Sequence, residues 1–258
     1  MAEFYHRILI SLCITTRKVK PYGYTIGMGN RQPIATNEWY HCYSRGVDKR
    51  IVCIDEDDYE RLLVLLYLCN DEDSNTRIYD LELRYVRLSR LLERKSIIHG
   101  APLVEIGAYA FMSNHVHFIL KPLSDRGLSR FMQKVFTGYT MYFNKKYERT
   151  GSLFSGTYKS KHIDTDTYFK YALQYVLLNP IELFEPRWKT GHGDLSLIKK
   201  QLLSYRYAST SDFFGIKRPE GLIVHNILNE YFDKPPSLNA MLRDAQEYYR
   251  ANEKFLTH

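Results

Sequence analysis

The sequence predicts an α+β fold, a ferredoxin-like βαββαβ antiparallel sheet with helices on one face, a tyrosine-bearing helix and a C-terminal extension. Two observations lead to this prediction. Stretches in which apolar and polar side chains alternate, as along half-buried strands, are interspersed with stretches in which apolar side chains recur at helical spacing. Their order along the chain is strand, helix, strand, strand, helix, strand and a further helix.

The first strand and helix come from residues 38–70. The alternating, aromatic stretch EWYHCYSRGV (38–47) predicts a strand. A helix is predicted over 55–70, because Asp55 can cap it, acidic residues fill its first turn and leucines recur at helical spacing. The charged stretch 78–95 is predicted to be a helical insertion on the surface.

A hairpin and a long helix follow. VEIGAYAFM (104–112) and HVHFILK (115–121) predict two strands, and the Ser-Asn pair between them suits a tight turn. The next helix is expected to begin at Ser124 or Asp125, and its apolar stripe continues through Phe143.

The fourth strand and the tyrosine-bearing helix complete the pattern. TYKSKHI (157–163) predicts the strand. DTDTYFKYALQYVLLNP (164–180) predicts a helix that Asp164 or Asp166 caps and that Asn179-Pro180 ends. A last helix is expected over 238–255.

These elements divide the chain into three parts. Residues 1–36 are interpreted as an N-terminal extension, with Met28 as an alternative start, 37–182 as the main domain, and 183–258 as a mostly helical extension. The apolar stretch near the N-terminus follows Glu3 and lacks a small-x-small cleavage site, which argues against a signal peptide.

The cysteines and the hydropathy pattern indicate a cytoplasmic protein. None of the four cysteines is spaced as C-x-x-C, which favours a reducing compartment. No apolar run approaches the roughly 18 residues that a membrane-spanning helix requires.

Positive charge is concentrated in one segment. The formal net charge is +7, and the window from Lys121 to Ile163 holds nine basic and two acidic residues, which accounts for all of it. Such a concentration favours a polyanionic partner such as nucleic acid.

Two histidines interrupt the third strand. Because side chains alternate along a strand, His115 and His117 share one face, and Val116, Phe118 and Leu120 share the other. Two imidazoles on one face can hold a divalent metal with a third ligand. An isolated H-x-H is nevertheless more often a pair of exposed or hydrogen-bonded structural histidines.

Tyrosines are unusually frequent, at 22 in the chain, and three share one face of the last helix of the domain. Tyr168, Tyr171 and Tyr175 can form an aromatic core stripe. Alternatively, one phenol beside a metal can act as a nucleophile, although a free phenol has a pKa near 10 and attacks weakly without help.

Three blocks of sequence resemble one family. FMSNHVHFILKP is similar to the His-hydrophobic-His motif of single-tyrosine HUH transposases, and KSKHIDTDTYFKYALQYVLLNP is similar to their tyrosine helix. YHCYSRGVDKRIVCIDEDDY resembles their first strand and helix. The resemblance spans about residues 37–182 and is closest to insertion sequence 200-like transposases, among them the REP-associated tyrosine transposases.

The resemblance implies a mechanism and its partners. His115 and His117 would hold Mg²⁺ or Mn²⁺. Tyr168 would attack a phosphodiester of single-stranded DNA near a hairpin, which gives a 5′-phosphotyrosine and a free 3′-OH. Strand transfer or religation would follow, in the cytoplasm, with a monomer favoured over a homodimer.

The match departs from the family at the third metal ligand. Some relatives carry an amide four residues after the tyrosine, and Ala172 stands at that position. Gln174 points about 120° away from Tyr168 on a helix. Tyr168 is preferred as the nucleophile because it lies in the first turn, with Tyr171 second, and Tyr175 is expected to lie in the core.

Several further side chains are candidates for DNA contacts. Basic residues on the long helix and the fourth strand would bind phosphates, and two aromatic residues would stack on bases. They are Arg126, Arg130, Lys134, Lys159 and Lys161, with Phe154 and Tyr158. His162 is interpreted as structural or exposed.

Three other functions fit parts of the pattern. The first is an RNA-binding sheet, which would need aromatic residues where the histidines stand. The second is a metal-dependent phosphodiesterase that activates water, which would need further clustered ligands. The third is a catalytically inactive hairpin-binding protein, which the alanine at the expected ligand position keeps open.

Overall fold

The predicted sheet is present in the computed structural model, which describes residues 33–73, 86–93, 100–225, 227–232 and 234–251. The described residues form four strands, β1 (Tyr40–Arg45), β2 (Val104–Phe111), β3 (His115–Pro122) and β4 (Lys159–His162). They lie in the order β2-β3-β1-β4, and every neighbouring pair is antiparallel. This is the ferredoxin-like arrangement that the sequence predicts.

The first helical layer covers one face of the sheet. Helix α1 (Glu56–Cys69) begins at Asp55, as predicted, in a capping box with Asp58. It packs with α3 (Gly127–Lys146) against the even-numbered side chains of β3, in the core that contains Val116, Phe118 and Leu120. The start of α3 differs from the prediction, because Arg126 precedes it in the left-handed conformation and no side chain caps it.

The second layer covers the opposite face. Helix α4 (Asp166–Leu178) lies there, and the side chain of Thr165, rather than either predicted aspartate, caps it. The apolar residues of α4 share a core with Ile119 of β3 and with C-terminal residues such as Leu242. The sheet therefore lies between two helical layers.

Residues beyond α4 are joined closely to both layers. The described α-helices here are α5 (Leu195–Ser204), α6 (Thr210–Phe213), α7 (Leu228–Tyr231) and α8 (Leu238–Ala251), and three short 3-10 helices lie at Asn179–Leu183, Trp188–Thr190 and Pro219–Ile223. Arg206, just after α5, contacts Glu60 of α1 at 3.1 Å and is also paired with Glu220. The contact between Arg206 and Glu60 connects the segment after α4 to the first helical layer.

Some predicted elements lie wholly or partly outside the described residues. They include almost all of the N-terminal extension 1–36 and most of the charged stretch 78–95, of which the structure describes only α2 (Leu88–Glu93) and its neighbours. The described helices all lack the combination of length and apolar character that a membrane crossing requires.

Candidate active site

Three histidines meet on the face of the sheet that α4 covers. His115 and His117 lie two residues apart on β3, and His41 lies on the neighbouring β1. The ring centroids of His115 and His117 are 5.0 Å apart, and those of His41 and His117 are 5.2 Å apart. The predicted pair is therefore part of a cluster of three imidazoles.

The protein environment keeps all three imidazoles neutral. Burial lowers the pKa of His117 well below its ordinary value, with the neighbouring imidazoles and Arg45 acting in the same direction. Burial and then Arg45 lower the pKa of His115 to about 4. Burial and then Lys161 lower the pKa of His41 to about 3. A neutral imidazole has the lone pair that a metal ion requires.

One nitrogen of each predicted ligand is already hydrogen-bonded. Nδ1 of His115 lies 2.6 Å from Oδ1 of Asn114, and Nδ1 of His117 lies 3.0 Å from Nε2 of His41. Metal-binding histidines commonly use one ring nitrogen for the ion and the other for a neighbouring group. Nε2 is accordingly the nitrogen of each ring that is suited to a metal.

A buried amide supplies a third oxygen at the same place. Asn179, directly after α4, is 4% exposed, and its amide opposes the lowering of the pKa of His115. Its Oδ1 makes no hydrogen bond of acceptable geometry to any described residue. In the described ranges no three His, Cys, Asp or Glu side chains form a metal site. Two neutral imidazoles and an amide oxygen are nevertheless a donor set that fits a divalent cation.

Tyr175 is the tyrosine whose ring contacts the histidines. Its ring centroid lies 5.3 Å from that of His117 at an interplanar angle of 88°, and 5.9 Å from that of His41. The side chain is half-buried, whereas the sequence predicted a core position. Tyr175 precedes Asn179 by four residues, so the two side chains lie about one helical turn apart.

Tyr168, the tyrosine preferred from the sequence, lies in a different environment. It is 3% exposed, its hydroxyl is buried without a hydrogen bond among the described residues, and Lys161 lies 4.8 Å above its ring. Burial raises the pKa of its phenol above the ordinary value. Along α4 it is two turns, or about 10 Å, from Tyr175, and no ring contact within the described ranges joins it to a histidine.

The other candidates on α4 do not reach the metal ligands. Ala172 is fully buried in the apolar core and offers no ligand atom. The amide of Gln174 donates a hydrogen bond of 2.8 Å to the backbone oxygen of Met241, which directs it towards α8. Tyr171 is half-buried.

Cationic side chains border the histidine face. Lys159 and Lys161 project from β4, opposite Tyr43 and His41 of β1 in the strand register. Nζ of Lys159 lies 6.0 Å above the ring of Tyr43. Arg45 is exposed at the end of β1, opposite His115, and its guanidinium has no hydrogen-bond or ion-pair partner in the described part of the chain.

The basic residues of α3 belong to the other side of the sheet. Arg130 donates to the backbone oxygen of Glu72, and Lys134 donates to that of Asp71. Arg126 is exposed at the start of the helix. The basic residues that are clustered in the sequence thus lie on two faces of the sheet. Of the predicted DNA contacts, only those on β4 lie beside the histidines.

The two aromatic residues predicted to stack on bases are core residues, and this prediction is not supported. Phe154 is 5% exposed and packs on Phe136 and Tyr139. Tyr158 is also buried, with its hydroxyl 3.3 Å from Ser129 Oγ. Neither ring presents an open face.

His162 is exposed and lies 3.3 Å from Glu38, in agreement with its structural interpretation.

Sequence reasoning missed His41, Arg45 and Asn179. The first two lie on one face of the predicted strand EWYHCYSRGV, together with Tyr43. In a ferredoxin-like sheet that strand is the neighbour of the histidine-bearing strand, so the alternation rule could have found them. Asn179 was interpreted only as a helix stop, although it follows Tyr175 by the spacing expected of a third ligand.

Comparisons with known proteins give one family and three distant structural likenesses. The family model described as "Transposase IS200 like" matches residues 86–178, which confirms the resemblance drawn from the sequence. That segment contains both predicted metal ligands and the tyrosine-bearing helix. No curated protein matches the chain.

The structural likenesses are weak. A REP-associated tyrosine transposase bound to a REP hairpin has a TM-score of 0.44 and 12% identity, over 82% of this chain and 100% of that one. A bacterial tRNA(His) guanylyltransferase-like protein in complex with ATP has a TM-score of 0.32 and 10% identity, over 69% and 72% of the two chains. The Saccharomyces cerevisiae tRNA(His) guanylyltransferase has a TM-score of 0.30 and 12% identity, over 80% and 85%. Likenesses at these scores carry no functional argument.

Proposed function

We propose that this chain, whose residues 86–178 match the model of IS200-like transposases, cuts and rejoins single-stranded DNA through a tyrosine nucleophile and a divalent metal. One observation carries the proposal: the ring of Tyr175 contacts that of buried His117, next to half-buried His115 and to the buried amide oxygen of Asn179, which has no hydrogen bond of acceptable geometry among the described residues. A histidine pair with only a structural role would need neither the tyrosine nor the amide oxygen beside it.

His115 and His117 would hold Mg²⁺ or Mn²⁺ through their Nε2 atoms, and Asn179 would add its Oδ1. A bound divalent cation at such a site neutralises charge on a phosphate and orients it. Oxygen and imidazole ligands suit both metals. Tyr175, Arg45 and Lys161 are the side chains near the histidines that would meet a phosphate held there.

Tyr175 is our first candidate for the nucleophile, and Tyr168 is the second. Tyr175 is supported by its contact with His117, its partial exposure and the amide four residues later. That spacing is the one that the family resemblance attaches to the tyrosine and the third ligand. Tyr168 would first have to expose a buried hydroxyl and move away from Lys161.

The proposed reaction exchanges one phosphodiester for another. The tyrosine Oη loses its proton and attacks phosphorus, the bond from phosphorus to the 3′ oxygen breaks, and that oxygen leaves as a 3′-OH after taking a proton. The products are a 5′-phosphotyrosine and a free 3′ end. Attack of a second 3′-OH on the phosphotyrosine restores the phenol and joins the strands, with no external energy source.

The partner would be single-stranded DNA that carries a hairpin, as the sequence resemblance implies. Arg45 and Lys161 would contact its phosphates, because both lie next to the histidines and neither has an ion-pair partner among the described residues. We propose a monomer that acts on DNA in the bacterial cytoplasm. A hairpin-binding protein without cleavage, and a phosphodiesterase that uses water, are the alternatives that the test separates.

The test is the trapping of a covalent adduct. Labelled single-stranded DNA from both flanks of the gene would be incubated with the protein and Mn²⁺ or Mg²⁺, and run on a denaturing gel. We expect an adduct that chelator and His115→Ala remove and that His162→Ala leaves, since His162 is exposed at the sheet edge. Hairpin binding without an adduct would favour the inactive binder, and metal-dependent cleavage without an adduct would favour the phosphodiesterase.

A further inference from the structure

We propose that His41 is a positioning residue of the metal site: it accepts the Nδ1 proton of His117 and thereby keeps Nε2 of His117 free for the metal. The inference rests on the proposed function, because it concerns the same site. It assigns a role to a side chain outside the family's histidine motif and on a different strand.

The contact between the two rings is well defined. Nε2 of His41 lies 3.0 Å from Nδ1 of His117, and the rings are stacked at an interplanar angle of 18°. His41 is 0% exposed and His117 is 4% exposed, so water cannot replace either partner. Both rings lie on the inner strands of the sheet, where the backbone is held on both sides.

Metal binding fixes the direction of this hydrogen bond. A ring that ligates a metal is neutral, and a neutral imidazole carries one proton, on either Nδ1 or Nε2. A ring that ligates a metal through Nε2 must carry its proton on Nδ1. For His117 that proton points at Nε2 of His41, which must then accept it. The opposite arrangement, with His41 as the donor, would place the proton of His117 on Nε2 and block the metal.

This direction has a cost in the metal-free protein. With Nε2 of His41 as acceptor, the proton of His41 must sit on its own Nδ1. That atom is buried and has no hydrogen-bond partner among the described residues. A buried, unpaired N–H costs stability, and the residues opposite His41 on the two neighbouring strands are Ile119 and Lys161. Within the described residues, Nε2 of His41, 3.0 Å from Nδ1 of His117, is the nitrogen of this ring that has a hydrogen-bond partner.

The experiment measures metal affinity and the protonated nitrogen separately. Binding of Mn²⁺ would be followed by the electron paramagnetic resonance signal of the free ion, for wild type, His41→Leu, His41→Gln and the control His162→Leu. We expect His41→Leu to weaken binding about 10- to 100-fold, the usual effect of losing such a partner. His41→Gln offers an acceptor oxygen and should restore most of the affinity, and the control should bind as wild type does.

The protonated nitrogen is read from the ¹⁵N shifts of the imidazole of His117 in the metal-free wild type. We expect the proton on Nδ1, and a loss of this preference in His41→Leu. A proton on Nε2 in the wild type, or equal Mn²⁺ affinity of His41→Leu and wild type, would overturn the inference. Absence of Mn²⁺ binding in the wild type would instead remove the proposed metal chemistry, and the ¹⁵N shifts would still decide the direction of the hydrogen bond.

Discussion

The ring of Tyr175 meets the ring of His117 edge-on, with centroids 5.3 Å apart and planes at 88°. One residue comes from the helix that covers the sheet and the other from a central strand, so packing of the two layers alone creates the contact. Asn179 follows one turn after Tyr175 and lies beside His115. Helix α4 thus presents a phenol and an amide to the same pair of imidazoles.

This contact predicts which tyrosine is required for the adduct. Tyr175→Phe should abolish the covalent DNA adduct, because it removes the hydroxyl proposed to attack while it keeps the ring. Tyr168→Phe should retain an adduct, since that hydroxyl is buried and Lys161 lies over the ring. Denaturing gels with labelled single-stranded DNA measure both. An adduct that persists in Tyr175→Phe and is lost in Tyr168→Phe would identify Tyr168 as the nucleophile.

The buried amide predicts a ligand. Asn179→Ala should weaken Mn²⁺ binding at least about tenfold, by the usual effect of groups around a metal, whereas Asn179→Asp keeps an oxygen and should bind the ion. The matched control is Gln174→Ala on the same helix, whose amide is bonded to Met241. Calorimetric titration gives the affinities, and thermal unfolding shows that each variant is folded. Equal affinity of Asn179→Ala and wild type would exclude the amide as a ligand.

The low pKa of His41 predicts a pH dependence of stability. The folded state keeps this imidazole neutral down to about pH 3, whereas the unfolded chain protonates it near 6.5. Below pH 6.5 the unfolded state therefore binds more protons, and stability is lost as the pH falls from 6.5 towards 3. This one group contributes up to about 1.4 kcal/mol per pH unit to the slope of the free energy of unfolding against pH.

Urea unfolding at pH 7, 6 and 5 measures that slope. His41→Leu should lose less stability than the wild type between pH 6 and 5, by about the contribution of one histidine. The comparison uses only the difference between the two proteins in the slope of unfolding free energy against pH, because the substitution also changes stability through packing. Parallel pH profiles of the two proteins would show that His41 is protonated as easily in the folded state as in the unfolded chain.

A buried ion pair far from the site predicts a loss of stability. Asp58 on α1 is fully buried and receives Nζ of Lys146 at 2.9 Å and the hydroxyl of Tyr147 at 2.8 Å. Lys146→Ala leaves this carboxylate without its cation, which should cost about 3 kcal/mol. Lys145→Ala, at the exposed neighbour on the same helix, should change stability by less than about 0.5 kcal/mol. Similar urea midpoints for both variants would show that the other donors to Asp58 suffice.

The sequence predicted the sheet well because its signals are local. Alternation identified the strands, and Asp55 as a cap, followed by an acidic first turn, identified the start of α1. The cap of α4 was predicted incorrectly, because Asp164, Thr165 and Asp166 are all good N-cap residues and only the path of the chain selects Thr165.

The site was predicted less completely because it depends on contacts between distant segments. His115 and His117 are visible as a motif, but the partnership with His41 joins residues 76 positions apart. Which of the three tyrosines on one face of α4 contacts the histidines depends on the position of the helix along the sheet. Residue spacing within the helix does not give that position. Burial of Phe154 and Tyr158 likewise follows from the packing of α3 and not from their local sequence.

The division of basic residues between two faces predicts which of them contact DNA. Lys161 lies beside His41 on the histidine face, whereas Arg130 is bonded to Glu72 on the other side of the sheet. Lys161→Ala should weaken binding of single-stranded DNA and reduce the slope of log K against log salt concentration by about 0.7, the value for one phosphate contact. Arg130→Ala should change neither. Fluorescence anisotropy at several salt concentrations measures both quantities, and an equal loss of slope in the two variants would mean that the DNA also follows the helical face behind the sheet.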